Sequence, residues 1–264
     1  SREAIRSASV LAWYPAETDV SIRPGWFSHA KQDSQVKTPA KLIDIYFSSV
    51  GRNGVLLLNV PPDPRGLIAD ADVKSLEGMK RILDRTFSRP AALAQFRPLA
   101  PQAPATHELS VPAGARFDVA LLQEDIRQGQ RVEQFTLELC SAGACREVAR
   151  GTTIGYKRLL RFPEVAVAPS TRDARVRLTV THTRGTPVVT QITAVGTQAM
   201  ALDQGGNAQP LTPVGGAYTV MLPAATNRNL PDHVTYMIGG RPLILGERDT
   251  TPSSAFEMPN LRMT

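Results

Sequence analysis

The run VLLLNV, residues 55 to 60, is apolar at every position but one and is bounded by Gly54 and Pro61. A strand that buries one face alternates. A short unbroken apolar run buries both, as strands do in a parallel sheet covered by helices. Its flanks agree with that reading. In TPAKLIDIYFSSV, Thr38 reads as an N-cap and Pro39 as the first helical residue, with Leu42, Ile45, Tyr46 and Ser49 on one face. GRNG, residues 51 to 54, ends that helix with a turn. PPDPRGLI then forms a loop, in which Asp63 and Arg65 read as parts of a structural turn. Beyond it Val73, Leu76, Met79 and Leu83 recur at helical spacing among charges. Loop, helix, buried strand, loop, helix is the rhythm of a βα barrel or a doubly wound sheet.

The texture changes after residue 88. SRPAALAQFRPLAPQAPATHELSVPAGA is rich in Pro and Ala and reads as a linker or wrapping segment. From Phe117 to about Thr197 short alternating runs dominate, among them RVEQFTLELC, CREVARG, ARVRLTVTHTR and VVTQITAVG. Turn residues separate them every eight to twelve positions or so, a β-sandwich pattern. The rest has Gly-, Pro- and Asn-rich turns between short strands such as AYTVMLP and VTYMIGG. The predicted organisation is a βα unit over 1–92, a linker over 93–112, a β-sandwich over 113–197 and a β-rich tail over 198–264. The fold class is therefore α/β followed by all-β.

The 264 residues carry a formal charge of +6, but the Arg residues are scattered and no run of five or six bases occurs. With few aromatics as well, a nucleic-acid partner is not expected. No apolar run reaches the roughly 18 residues that span a bilayer, so no membrane association is expected. The opening SREAIRSASV has no initiator Met, signal core or cleavage site, and the chain is expected to begin inside a larger unit. Cys140 and Cys145 flank SAGA, which reads as a four-residue hairpin loop that sets the two sulfurs across from each other. A disulfide, and with it an oxidising compartment, periplasmic or secreted, is the favoured reading; two free thiols at a hairpin end is the other. His29, His107, His182 and His233 show no ligand spacing among themselves or with the cysteines, so neither a metal nor another cofactor is expected.

WYPAETDVSIRPGWF, residues 13 to 27, holds both tryptophans of the chain, Trp13 and Trp26. It reads as a loop after an apolar strand end, the place where barrels keep their chemistry. A carboxyl packed by indoles loses hydration and keeps its proton, which would make Glu17 a general acid. The alternative is a structural cluster in which Glu17 and Asp19 pair with Arg23. Aromatic faces also suit the apolar face of a sugar, and Arg donates to hydroxyl oxygens in a fixed fork.

These residues, followed by SVGRNGVLLLNVPPDPRGLI, closely resemble the C-terminal part of the catalytic barrel of glycoside hydrolase family 29, the α-L-fucosidases. FDVALLQEDIRQGQRVEQFTLE and RGTTIGYKRLLRF resemble the β-sandwich that follows it there, of a discoidin-like kind. The resemblance covers roughly residues 10 to 197. It implies the C-terminal portion of a (β/α)8-like barrel and a retaining exo-glycosidase that removes terminal α-L-fucose from glycans. It also implies that Glu17 is the acid/base and that Trp13, Arg23, Trp26 and Phe27 line the fucose pocket. Ser28 stands where the pattern leads one to expect Tyr. A retaining mechanism needs a second carboxyl as nucleophile. The family's Asp nucleophile and sugar-binding His residues belong to earlier strands, and no substitute is visible here. An N-terminal chain or segment that completes the barrel is therefore an expected partner, and the isolated chain is expected to be inactive. A non-catalytic carbohydrate-binding or structural module is the alternative.

Overall fold

The computed structural model describes residues 7–10, 16–96, 106–127 and 129–197, together with the backbone of short strands between 200 and 263. It is a mixed α/β structure whose sheets are mostly antiparallel. The first unit runs β1 (Glu17–Ser21), a 3-10 turn (Ala30–Gln35), α1 (Pro39–Ser48), β2 (Val55–Asn59) and α2 (Asp70–Phe87). Strands β1 and β2 are parallel, in register from Glu17 opposite Val55 to Ser21 opposite Asn59. Thr38 caps α1 by accepting from the Lys41 N–H at 3.3 Å, and Pro39 stands in its first turn. Pro at that position loses no helical hydrogen bond and is already bent to the helical φ.

The expectation that VLLLNV is buried on both faces is not met. Val55 and Leu57 are 52% and 50% exposed. Among the described residues β2 pairs only with β1, and nothing covers that face. The buried positions of α2 also differ from the expected stripe. Asp72, Ser75, Gly78, Ile82 and Thr86 are buried, while Val73, Leu76, Met79 and Leu83 are half-buried beside them. Small side chains bring α2 close, and the larger ones pack at the margins.

Two stretches of the expected linker are strands, β3 (Ala92–Gln95) and β4 (Thr106–Ser110). They are followed by β5 (Arg116–Glu124), β6 (Val132–Ser141), β7 (Ala144–Gly151), β8 (Arg158–Ala166), β9 (Arg175–Thr183) and β10 (Val189–Val195). These eight form two antiparallel sheets, ordered β3-β10-β5-β8 and β4-β9-β6-β7. Both are edge strands, and a Pro/Ala-rich flank hides two short runs of alternating residues. One core lies between the sheets and includes Phe117, Leu122 and Phe162 from one, Phe135, Leu137 and Leu178 from the other. The tail contains β11 to β16 (Met200–Leu202, Ala208–Pro210, Tyr218–Val220, Thr235–Ile238, Arg241–Leu243, Leu261–Met263).

Helices α1 and α2 lie against the outer face of the first sheet. Ala40, Ile43, Phe47 and Ile82 form a second core with Val119, Leu159 and Val195. Each fully buried apolar side chain of that kind contributes about 1.5–3 kcal/mol. Asn53 fastens the same junction. It sits at φ 68°, donates from Nδ2 to the Ile154 carbonyl at 2.9 Å and accepts at Oδ1 from the Lys157 N–H at 2.8 Å. Asn tolerates that left-handed conformation better than most residues. Asn53→Ala should lower stability by about 1–3 kcal/mol in chemical denaturation. Asn53→Gly, which relieves the backbone but not the hydrogen bonds, should recover only part of it.

Cys140 and Cys145 are directly paired across β6 and β7, and their sulfurs are joined in a disulfide. The hairpin loop is shorter than the four residues expected. Ser141 pairs with Ala144, leaving Ala142 (φ 51°) and Gly143 (φ 78°) as a two-residue turn. Two positive φ values match the right-handed twist of the strands, which wider unprimed turns would splay.

Asp118 on β5 is a buried carboxyl outside these junctions. It accepts from the Thr197 N–H at 2.8 Å and from the Thr197 hydroxyl, and it is pushed up to about 7 by burial, with Glu164 adding to the rise. An unfolded chain ionises this group near 4. The folded form keeps the proton until about 7, so stability is full at low pH and is lost as pH rises through that window. Asp118→Asn keeps a donor and an acceptor. It should flatten that loss and raise stability at pH 8 by on the order of 2 kcal/mol relative to the parent, with little change at pH 4. Thermal unfolding at both pH values reads it.

Candidate active site

Strand geometry sends alternate side chains to opposite faces, so Glu17, Asp19 and Ser21 share one face of β1, and Val55, Leu57 and Asn59 share the same face of β2. That face is open. Its other side carries Thr18, Val20, Leu56 and Leu58, half-buried, and Ile22 beyond the strand end is fully buried. Glu17 and Asp19 are both exposed. Glu17 does not follow a strand end, as the sequence suggested, but is the first residue of β1. The strand therefore sets its Cα about 13 Å from that of Ser21, at roughly 3.3 Å per residue.

The C-terminal ends of the two strands are closely knitted. The Ile22 N–H donates to the Asn59 carbonyl at 2.9 Å, and Asn59 Nδ2 donates to Ser21 Oγ and to the Trp26 carbonyl, both at 3.0 Å. Ser21 Oγ in turn donates to the Gly25 carbonyl at 2.6 Å. This holds the loop that carries Trp26, 51% exposed, and Phe27, 76% exposed. Trp13 lies outside the described residues.

Arg23 departs from the pocket-lining role expected of it. Its side chain has no exposed area and is held by three partners. Nε donates to Asp72 Oδ2 at 2.9 Å, and Nη1 donates to Asp33 Oδ1 at 2.9 Å and to the His29 carbonyl at 3.2 Å. The alternative of an ion cluster with Glu17 and Asp19 also fails in detail, because the acids are Asp33 and Asp72. Arg23 follows a buried Ser21–Ile22 pair at the strand end and turns inward toward α2, away from the open face. Lys37 reinforces the same corner, donating from Nζ to the Ser21 carbonyl at 2.7 Å, and Ser75 Oγ donates to the Lys37 carbonyl. Sequence reading missed Asp72. The available signal was a carboxylate one turn before Ser75 on the inward face of a helix.

In PPDPRGLI, Asp63 accepts from the Arg65 N–H at 2.8 Å and pairs with the Arg65 guanidinium at 2.6 Å. That hydrogen bonding holds the Asp63 carboxyl below the usual carboxylate range. The loop braces itself and offers no free acid. Glu138 is the one carboxylate close to both cysteine sulfurs among the described residues, but sulfurs joined to each other supply no thiolate to a metal.

Comparison with known proteins points one way. Residues 5–86 match the family model described as Alpha-L-fucosidase. The chain is 40% identical over 182 residues to the rice protein named Putative alpha-L-fucosidase 1, an alignment covering 58% of this chain and 35% of the relative. It is 35% identical over 210 residues to Alpha-L-fucosidase 1 of Arabidopsis thaliana, covering 68% of this chain and 40% of the relative. The chain thus spans well under half the length of the curated relatives it matches. A crystal structure of a putative alpha-L-fucosidase from Bacteroides ovatus superposes with a TM-score of 0.67 at 36% identity, over 90% of this chain and 39% of that one. The exposed Glu17 strand lies within the residues matched by the family model, and the curated relatives and solved structures agree with it, so the chain belongs to the α-L-fucosidases, glycoside hydrolase family 29.

Proposed function

We propose that this chain is the C-terminal portion of a retaining α-L-fucosidase that releases terminal α-L-fucose from glycans, with Glu17 as its acid/base. One observation carries the reading. Within the family-matched residues, Glu17 stands on the exposed face of a parallel strand pair whose other face is half-buried. In a closed (β/α)8-like barrel that exposed face is the interior, so Glu17 would point into the barrel at the level of Val55, opposite it in register. The half-exposed Val55 and Leu57 on the same face would then join the interior layers of a completed barrel.

The chemistry follows from the position. Glu17 protonates the glycosidic oxygen as the bond to the anomeric carbon breaks. A second carboxylate takes that carbon, forming a fucosyl-enzyme. Glu17, now a base, removes a proton from the water that hydrolyses it. The two carboxyls must stand about 5–5.5 Å apart with the sugar between them. Asp19 shares the strand and face of Glu17 about 7 Å along the chain and cannot face it across a ring. The nucleophile therefore comes from a segment that completes the barrel by pairing with the edges of β1 and β2. Trp26 and Phe27 offer exposed aromatic faces for the C–H side of the sugar. The two sheets, which run from Ala92 to Val195, correspond in this reading to the discoidin-like β-sandwich that accompanies the barrel, and the disulfide suits a periplasmic or secreted protein.

The test is turnover of an aryl α-L-fucoside. The purified 264-residue chain should release no aglycone, and co-expression with the rest of the barrel should restore release. Turnover by the chain alone would overturn the need for a second carboxylate. Glycan binding by the completed protein without release would favour a non-catalytic carbohydrate-binding module.

A further inference from the structure

The junction fastened by Asn53 holds an unanswered pair of cations. Because the 51–54 turn is locked to the 154–157 loop, Arg52 stands opposite Arg158 in an antiparallel bridge, and the Leu159 N–H donates to the Gly51 carbonyl at 2.8 Å. Directly opposed residues in such a pair project to the same side, with Cβ atoms about 4.5–5.5 Å apart, and like charges placed so are destabilising. Both guanidiniums stay charged at any physiological pH. No described carboxylate compensates them. Asp44 is taken by Arg161 Nη2 at 2.8 Å. Glu124 spends its carboxylate on the backbone N–H groups of Arg131, Val132 and Gly155. Arg158 Nε is also buried without a hydrogen-bond partner among the described residues. Burial and the Arg52 charge together pull the Arg158 guanidinium below its ordinary value. Lys157 is turned away toward Tyr46, its Nζ 3.5 Å from the hydroxyl.

We propose that Arg52 and Arg158 form an oxyanion-binding site at the junction of the helical unit and the two sheets, suited to a sulfate group, free or carried as a sugar ester. A sulfate between the two forks cancels their repulsion and gives Arg158 Nε an acceptor, the charge-assisted geometry in which Arg binds best. The site involves neither Glu17 nor the fucosidase reading.

The test is the unfolding midpoint of the 264-residue chain as sodium sulfate replaces sodium chloride at fixed ionic strength. The parent should show a saturating rise, as binding to the native state requires. Sulfate also stabilises proteins generally, but that part does not saturate and persists in variants. Arg52→Gln and Arg158→Gln should each weaken the apparent sulfate affinity about tenfold or more. Arg52 is exposed, so Arg52→Gln is informative even where Arg158→Gln folds poorly. Without sulfate, Arg52→Gln should unfold at the parent midpoint or above it, because the repulsion is gone. An unchanged sulfate response in Arg52→Gln, or a lower midpoint for it in sulfate-free buffer, overturns the proposal. A parallel arm titrates 6-O-sulfated N-acetylglucosamine. Saturation below the inorganic sulfate concentration identifies a sugar ester as the ligand, and saturation above it a free oxyanion.

Discussion

Asp72→Ala will lower the free energy of unfolding by about 3–5 kcal/mol, seen as a fall in denaturant midpoint at unchanged m. Neither Arg23 nor Asp72 has exposed side-chain area, and the Nε–Oδ2 contact of 2.9 Å is their direct link. Removing the acid leaves a buried guanidinium facing a cavity, with the half-exposed Asp33 and one carbonyl as its remaining partners. Water cannot screen that charge, so the penalty is far larger than for an exposed pair such as Lys80 with Asp84, where the loss should be about 0.3–0.5 kcal/mol. The double change Arg23→Met with Asp72→Leu should recover much of the loss, because both charges then leave together. A loss under 1 kcal/mol for Asp72→Ala would show that the corner is not held by this pair. The Trp26–Phe27 loop depends on the same corner, since Arg23 also holds His29 and Asp33 at its far end.

The helical and sheet pattern was legible because it is local. Thr38–Pro39 starts a helix, and the alternation of RVEQFTLELC and ARVRLTVTHTR makes strands β6 and β9 wherever they are placed. The cysteine pairing was legible for the same reason, since a hairpin fixes its own register. What failed was tertiary. VLLLNV has the composition of a strand buried on both faces, yet one face lies open, because burial depends on partners that a sequence run does not name. The edge strands Ala92–Gln95 and Thr106–Ser110 were hidden by their Pro- and Ala-rich surroundings. Arg23 was misplaced because its true partner stands 49 positions away on a helix, and a motif shows neighbours in sequence rather than in space. The exposure of Glu17, Trp26 and Phe27 was not legible at all; it depends on which neighbours the fold brings to each side chain.

Glu17→Gln, made in the complete protein, should cut kcat/KM about 10²–10⁴-fold on fucosides whose leaving group needs a proton. In the 264-residue chain, where the side chain is exposed and starts its strand, the same change should alter stability by no more than about 0.5 kcal/mol. That separation matters. Loss of activity without loss of fold assigns the carboxyl to chemistry, whereas Asp72→Ala loses fold first.

The most direct measurement of the Glu17 role is a leaving-group series of aryl α-L-fucosides, run on the complete protein and its Glu17→Gln variant. A general acid matters most where the departing oxygen is basic. The predicted result is a steep dependence of kcat/KM on leaving-group pKa in the variant and a shallow one in the parent, the two converging for activated aglycones. Parallel lines, with the same fractional loss for every leaving group, would contradict the assignment of Glu17 as the acid.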